Sequence, residues 1–246
     1  MADTVQRARL QKFLGDTNVF WLMVLGIWFA GQTPFLSTPF RLLATWVHEL
    51  GHGLGAIISG GSFERMIITP NFSGLAHTFS GSAWERVAVL LSGLLGPAIA
   101  GACMLVLVRR YGQSRTALFI LATALFATLI FWAGDNFTQI SVLGFGIVVS
   151  GIAVKAGPFI RAVSAHIIAL AFCLNAVADF GYFFMNSTNL EINGGKSDTT
   201  ALADIIGGPH IFWALVPSVL SILILYTAFK LSGGFGNTRS KLKSVS

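Results

Sequence analysis

Three ionisable side chains, His48, Glu49 and His52, stand together in the otherwise apolar run WVHELGHGLGAIISGG at residues 46–61. His48 and His52 are four apart, so on a helix they lie one above the other on a single face, with Glu49 beside them. Neutral imidazole is the commonest protein ligand for a metal. Two histidines at this spacing with a glutamate between them form the H-E-x-x-H arrangement, in which the histidines hold Zn2+ and the glutamate takes a proton from bound water. Zinc lowers the pKa of such a water to about 7. A plainer use of the same residues is hydrogen bonding to neighbouring helices. The metal reading is preferred because ionisable groups in apolar segments are rare and this set meets a specific chemical need.

The elements that must position these groups are membrane helices. The 246 residues are 54% hydrophobic and only 11% charged, with a mean hydropathy of +0.73. Soluble domains carry about 25% charged residues. Apolar segments at about 18–36, 40–60, 84–108, 115–133, 138–155, 159–185 and 211–231 are long enough to cross a hydrocarbon core of about 30 Å. The expectation is an all-α, multi-pass bundle of six to seven spans, forming a single membrane-embedded domain over residues 1–246. Between the histidine segment and the next, residues 61–83 hold two β-friendly runs, 63–69 and 75–79, around a Pro-Asn-Phe-Ser-Gly turn, which predicts a small hairpin. Residues 186–210 form a polar, Gly-rich loop with a short helix opened by Ser197 or Asp198.

Arg7, Arg9 and Lys12 before Asn18–Gly31 have the layout of a leader peptide. Apolar sequence continues to about Leu36 without a small-x-small cleavage site, which favours a retained segment. If segment 18–36 dips in without crossing, all but three of the 16 Lys and Arg share one side, as the positive-inside rule prefers. Both topologies stay open from the sequence. The net charge of +6 points to anionic lipid rather than nucleic acid. Cys103 and Cys173 fall inside apolar segments as packing residues.

WVHELGHGLGAIISGG, a hairpin-like connection and then SGLLGPAIAG at 92–101 together resemble the site-2 protease family of intramembrane zinc metalloproteases, and within it the compact bacterial-type branch. The resemblance is strongest over residues 40–108. It implies that His48 and His52 are zinc ligands, that Glu49 is the general base, and that Gly96-Pro97 belongs to the helix packed beside the catalytic one. Gly93, Pro97 and Gly101, like Gly51, Gly55 and Ser59, are spaced by four, which lets membrane helices approach closely.

A catalytic zinc takes three protein ligands and keeps one place for water. In the family the third is an aspartate in a Leu-Asp-Gly motif preceded by asparagine. This chain lacks that motif in strict form and has LNAVADFGYFF at 174–184 instead. Asp179, about 9 Å from the end of its segment at 1.5 Å per residue, matches the depth of His52, about 12 Å from its own. Asp198, in SDTTALAD, is the rival, similar to an element of related chains; its plainer role is to cap the short helix. The sequence reading favours Asp179 over Asp198 and gives Asn175, one turn earlier, a substrate-binding role beside the plainer one of helix–helix hydrogen bonding. His77 reads as a loop residue, His166 as a packing residue too far along its helix to share the site, and His210 as a turn residue.

The resulting expectation is a zinc-dependent metalloendopeptidase in a bacterial cytoplasmic membrane, cutting membrane-spanning or membrane-proximal proteins, with the hairpin offering an edge strand to hold substrate extended. Its partners are then a protein or peptide substrate and the lipid bilayer. A non-catalytic relative that binds or chaperones membrane partners is the alternative, and indifference to Glu49→Gln would mark it. An ion transporter ranks lowest, since no internal repeat is present.

Overall fold

A computed structural model describes residues 12–178 and 197–233. The helices are α1 (Thr17–Gly31), α2 (Pro34–Ile58), α3 (Ala83–Arg109), α4 (Ser114–Phe131), α5 (Asn136–Lys155), α6 (Pro158–Ala178), α7 (Asp198–Ile206) and α8 (His210–Leu231). Two antiparallel strands, β1 (Ser62–Ile68) and β2 (Gly74–Phe79), form the hairpin between α2 and α3. Among the described residues, five helices are long and apolar enough to cross a membrane on their own: α3, α4, α5, α6 and α8. The pair α1–α2, bent by 104°, supplies a sixth crossing when counted as one.

The chain is therefore a multi-pass helical membrane protein at the lower end of the expected span number. The first two apolar segments do not break where hydropathy dips, near 37–39. They break at Gln32–Thr33, because Pro34 starts α2. Proline fixes φ and needs no N–H partner in the first turn, and it drives the preceding residue to extended backbone. Thr33 has φ −107° and ψ 123° accordingly.

α2 and α3 pack closely along their middles. A Cβ at Gly51 would run into the backbone of Ser92 and Gly93, and one at Gly96 would meet the Val47 carbonyl oxygen. This is the approach that small residues at four-residue spacing permit. Gly101 serves a different neighbour, facing Cys173 and Ala169 of α6. On its other side α2 is tied to α4, where Trp46 Nε1 donates to Thr128 Oγ1 at 3.2 Å.

The hairpin does not stand away from the bundle. It turns back along α2: Phe63 lies against Gly53, the Phe72 carbonyl accepts from Thr45 Oγ1 at 2.8 Å, and the Arg41 guanidinium covers the Phe72 ring at 4.2 Å. Phe72 holds φ +70°, an uncommon conformation for a bulky residue, at the point where these two contacts grip it. The outer edge of β1 is occupied. Met66 N–H donates to the Trp132 carbonyl at 2.7 Å, Gly134 N–H donates to the Met66 carbonyl at 2.9 Å, and Ile68 N–H donates to Thr138 Oγ1 at 2.7 Å.

Replacing Gly51 with valine should force α2 and α3 apart, because the obstruction is backbone that cannot rotate away. The expected loss is about 1–3 kcal/mol, read as a lowered thermal unfolding midpoint in detergent.

Candidate metal centre

α2 presents His48, Glu49 and His52 toward the cleft between α3, the hairpin and α7. Glu49 and His52 are buried, at 5% and 7% exposure, and His48 is half-buried. One donor atom from each of the three lies within 4.8 Å of the others. The two imidazoles meet edge to face, with ring centroids 4.7 Å apart and their Nε2 atoms 3.0 Å apart. His52 is oriented from behind. Its Nδ1–H donates to the Val89 carbonyl on α3 at 2.9 Å, so in the neutral ring Nε2 carries the lone pair. Gly93 leaves the room for this ring, since a Cβ there would collide with it.

Asp198 completes the cluster. Its Oδ2 lies 3.0 Å from His48 Nε2 and 3.2 Å from His52 Nε2. The capping role that the sequence offered Asp198 is taken by Ser197, whose hydroxyl accepts from Thr200 N–H. Asp198 thus opens α7 as its first residue with its carboxylate turned to the histidines. Burial works against charge on Asp198, yet the imidazoles of His52 and His48 hold its carboxyl well below the usual carboxylate range. The N-terminal end of α7 also favours an anion there.

Asp179, the ligand favoured by the sequence, lies outside the described residues. Asn175 is half-buried on α6. His77 is half-buried on β2, paired with Arg65 of β1. His166 is fully buried in α6 against Phe20 of α1, with ring centroids 6.5 Å apart. Sequence reasoning did not single out Val89, whose contribution is a backbone carbonyl and leaves no mark in residue type. It also missed Gly74, where a Cβ would collide with the Glu49 carboxylate. A glycine just after a turn carries no signal of that contact.

Residues 19–228 match the family model described as Peptidase M50B-like. The chain belongs to this family, the site-2 protease family. No curated protein and no solved structure matches it. Membership supports a membrane metalloprotease type of function, and the donor set of this M50B-like chain fits the metal that such a function uses. In a tetrahedral site with zinc–ligand bonds of about 2.0–2.1 Å, ligand atoms stand roughly 3.3 Å apart. The three separations here, 3.0, 3.0 and 3.2 Å, are close to that spacing. Two imidazole nitrogens and one carboxylate oxygen converge on one point, and a second carboxylate stands beside it.

Gly93→Ala should push the His52 ring off the Val89 carbonyl. Metal affinity should fall about 10–100-fold, the usual effect of disturbing an outer-shell partner, as measured by competition with a chromophoric chelator.

Proposed function

We propose that the protein is a zinc-dependent metalloendopeptidase of a bacterial cytoplasmic membrane, a single membrane-embedded unit that hydrolyses peptide bonds of membrane-spanning or membrane-proximal proteins. His48, His52 and Asp198 hold the metal in this reading, and Glu49 is the general base. The observation that carries it is the meeting of the Asp198 carboxylate with both histidine Nε2 atoms, at 3.0 and 3.2 Å, beside a buried Glu49. When bound, zinc supplies a Lewis acid and a water of pKa about 7. Glu49 accepts the proton of the attacking water and later delivers one to the leaving amine. Val89, through its carbonyl, keeps the His52 ring in register throughout.

A helical substrate hides its amides in its own hydrogen bonds, so it must be held extended to be cut. β2 is suited to this, and β1 is not. Met66 directs both its backbone groups to Trp132 and Gly134, and it sits opposite Ala76. In an antiparallel pair, opposed residues either exchange both bonds or neither. Ala76 therefore turns its own N–H and C=O away from β1, and its N–H faces the Glu49 carboxylate. An extended peptide added to this edge lies next to the proton acceptor and takes the Ala76 N–H in place of Glu49. Asn175 neighbours Ala176, which lines a crevice with Leu94, Thr199 and Pro217, and it stands as a candidate for contact with the substrate chain.

Glu49→Gln should lower peptide hydrolysis about 100-fold or more while leaving bound zinc and thermal stability unchanged; full activity would show that Glu49 is not the base. Metal analysis of Asp198→Ala beside Asp179→Ala should find zinc lost from the first and kept by the second. Ala76→Pro, which removes the edge N–H that faces Glu49, should reduce cleavage without loss of zinc. Ile67→Pro, inside the ladder, should unsettle the hairpin itself and lower the unfolding midpoint.

A further inference from the structure

α8 turns its bulk outward. Leu215, Val219, Leu220, Ile222 and Leu223 are exposed, whereas the small residues Ala214, Pro217, Ser218 and Ser221 are buried. These four stand at positions i, i+3, i+4 and i+7 and so share one face. Small residues at such spacing ordinarily let membrane helices close on one another. Here they do not close. A cavity of about 30 Å3 remains between this face, Leu94 of α3, Ala176 of α6 and Thr199 of α7.

The position of the cavity ties it to the metal centre. Leu94 follows Gly93, the residue that leaves room for the His52 ring, and Thr199 follows Asp198. Neighbouring Cα atoms are about 3.8 Å apart, so two walls of the cavity begin one residue from the groups that surround the donor atoms.

The hydroxyls lining it are not equally occupied. Ser218 Oγ donates to the Ala214 carbonyl at 2.8 Å, and Thr199 Oγ1 pairs with Ser197 Oγ at 3.1 Å. Ser221 is only 2% exposed, yet its hydroxyl has no hydrogen-bond partner among the described residues. It does not make the bond to the carbonyl four residues back that serines in helices commonly make. An unpaired hydroxyl in an apolar interior is costly. A hydrocarbon chain in the cavity would leave it unpaired; a small polar group would not. A single water takes about 10–15 Å3 of such space, so the room is that of about two heavy atoms. The side chain of Ala, Ser or Cys fits it, and that of Leu or Phe does not.

We propose that this cavity receives the substrate side chain next to the scissile bond, that Leu94 limits it to small residues, and that Ser221 pairs with a serine hydroxyl there. The preferred residue is then serine, followed by alanine or cysteine. A chain held extended on the β2 edge turns alternate side chains to opposite faces, which carries one of the two residues flanking the cut toward α3 and α7. The assignment rests on the protease reading and adds to it the kind of sequence that is cut.

The test uses full-length, zinc-loaded protein in vesicles of phosphatidylethanolamine and phosphatidylglycerol. The probe is a library of single-span peptides randomised through the membrane segment, with product termini sequenced by mass spectrometry. At one position flanking the cut, the unsubstituted protein should select Ser, Ala and Cys over Leu and Phe by about 10-fold or more. Ser221→Ala should lower Ser relative to Ala about 2–10-fold, the effect of one hydrogen bond. Leu94→Ala should admit Val and Leu at that same position. Both variants should keep their zinc. Unchanged selection in either variant overturns the proposal and leaves water as the occupant of the cavity. Loss of zinc from either also overturns it, because the wall then only supports the ligands. Cleavage without selection at both flanking positions removes the pocket and leaves the protease reading standing. Zinc-loaded protein that cuts no member of the library removes the protease reading, and the pocket with it.

Discussion

The structure turns on the convergence of two imidazoles and one carboxylate inside a helical bundle. A lone carboxylate buried in a low-dielectric interior would be strongly destabilising. Asp198 is only half-buried, His48 Nε2 faces it within hydrogen-bond distance, and it opens a helix whose dipole favours negative charge. The same three atoms point at a common centre, so the arrangement is a donor set that could hold a cation. Glu49 sits outside the triangle but within reach of it, held between α2 and β2.

That convergence depends on how closely α2 and α3 approach. Gly51 and Gly96 let the backbones touch, and Gly93 leaves space for the His52 ring where any larger residue would fill it. The Val89 carbonyl then fixes the ring. Small residues in the two helices thus do more than pack: the spacing that permits close association in lipid also sets the position and orientation of the His52 imidazole. The hairpin is governed similarly. Its β1 edge is saturated by the α4–α5 connection, which leaves β2 as the strand whose backbone groups turn toward Glu49.

The M50B-like membership and the geometry agree on a membrane metalloprotease type of function from different starting points. One rests on the pattern of residues 19–228; the other rests on donor atoms contributed by helices far apart in sequence.

Much was legible in the sequence because it is local. His48, Glu49 and His52 share one helical face by virtue of a 3.6-residue period, the apolar segments report their own lengths, and the turn chemistry of Pro70–Gly74 marks a hairpin that the structure places at Ser62–Ile68 and Gly74–Phe79. The short helix after Ser197 was equally visible from its capping residue. What depends on distance in the chain was not. Asp179 offered a carboxylate at a matching depth and Asp198 one nearer the surface, and only the packing of α7 against α3 and α8 brings Asp198 to the histidines, with His48 150 residues away in the chain. Hydropathy likewise cannot tell a segment that crosses from one that turns aside, because both are equally apolar. The direction of α1 is decided by the backbone restriction at Thr33–Pro34 and by the aromatic and guanidinium contacts that hold Phe20, which exist only once the helices have assembled.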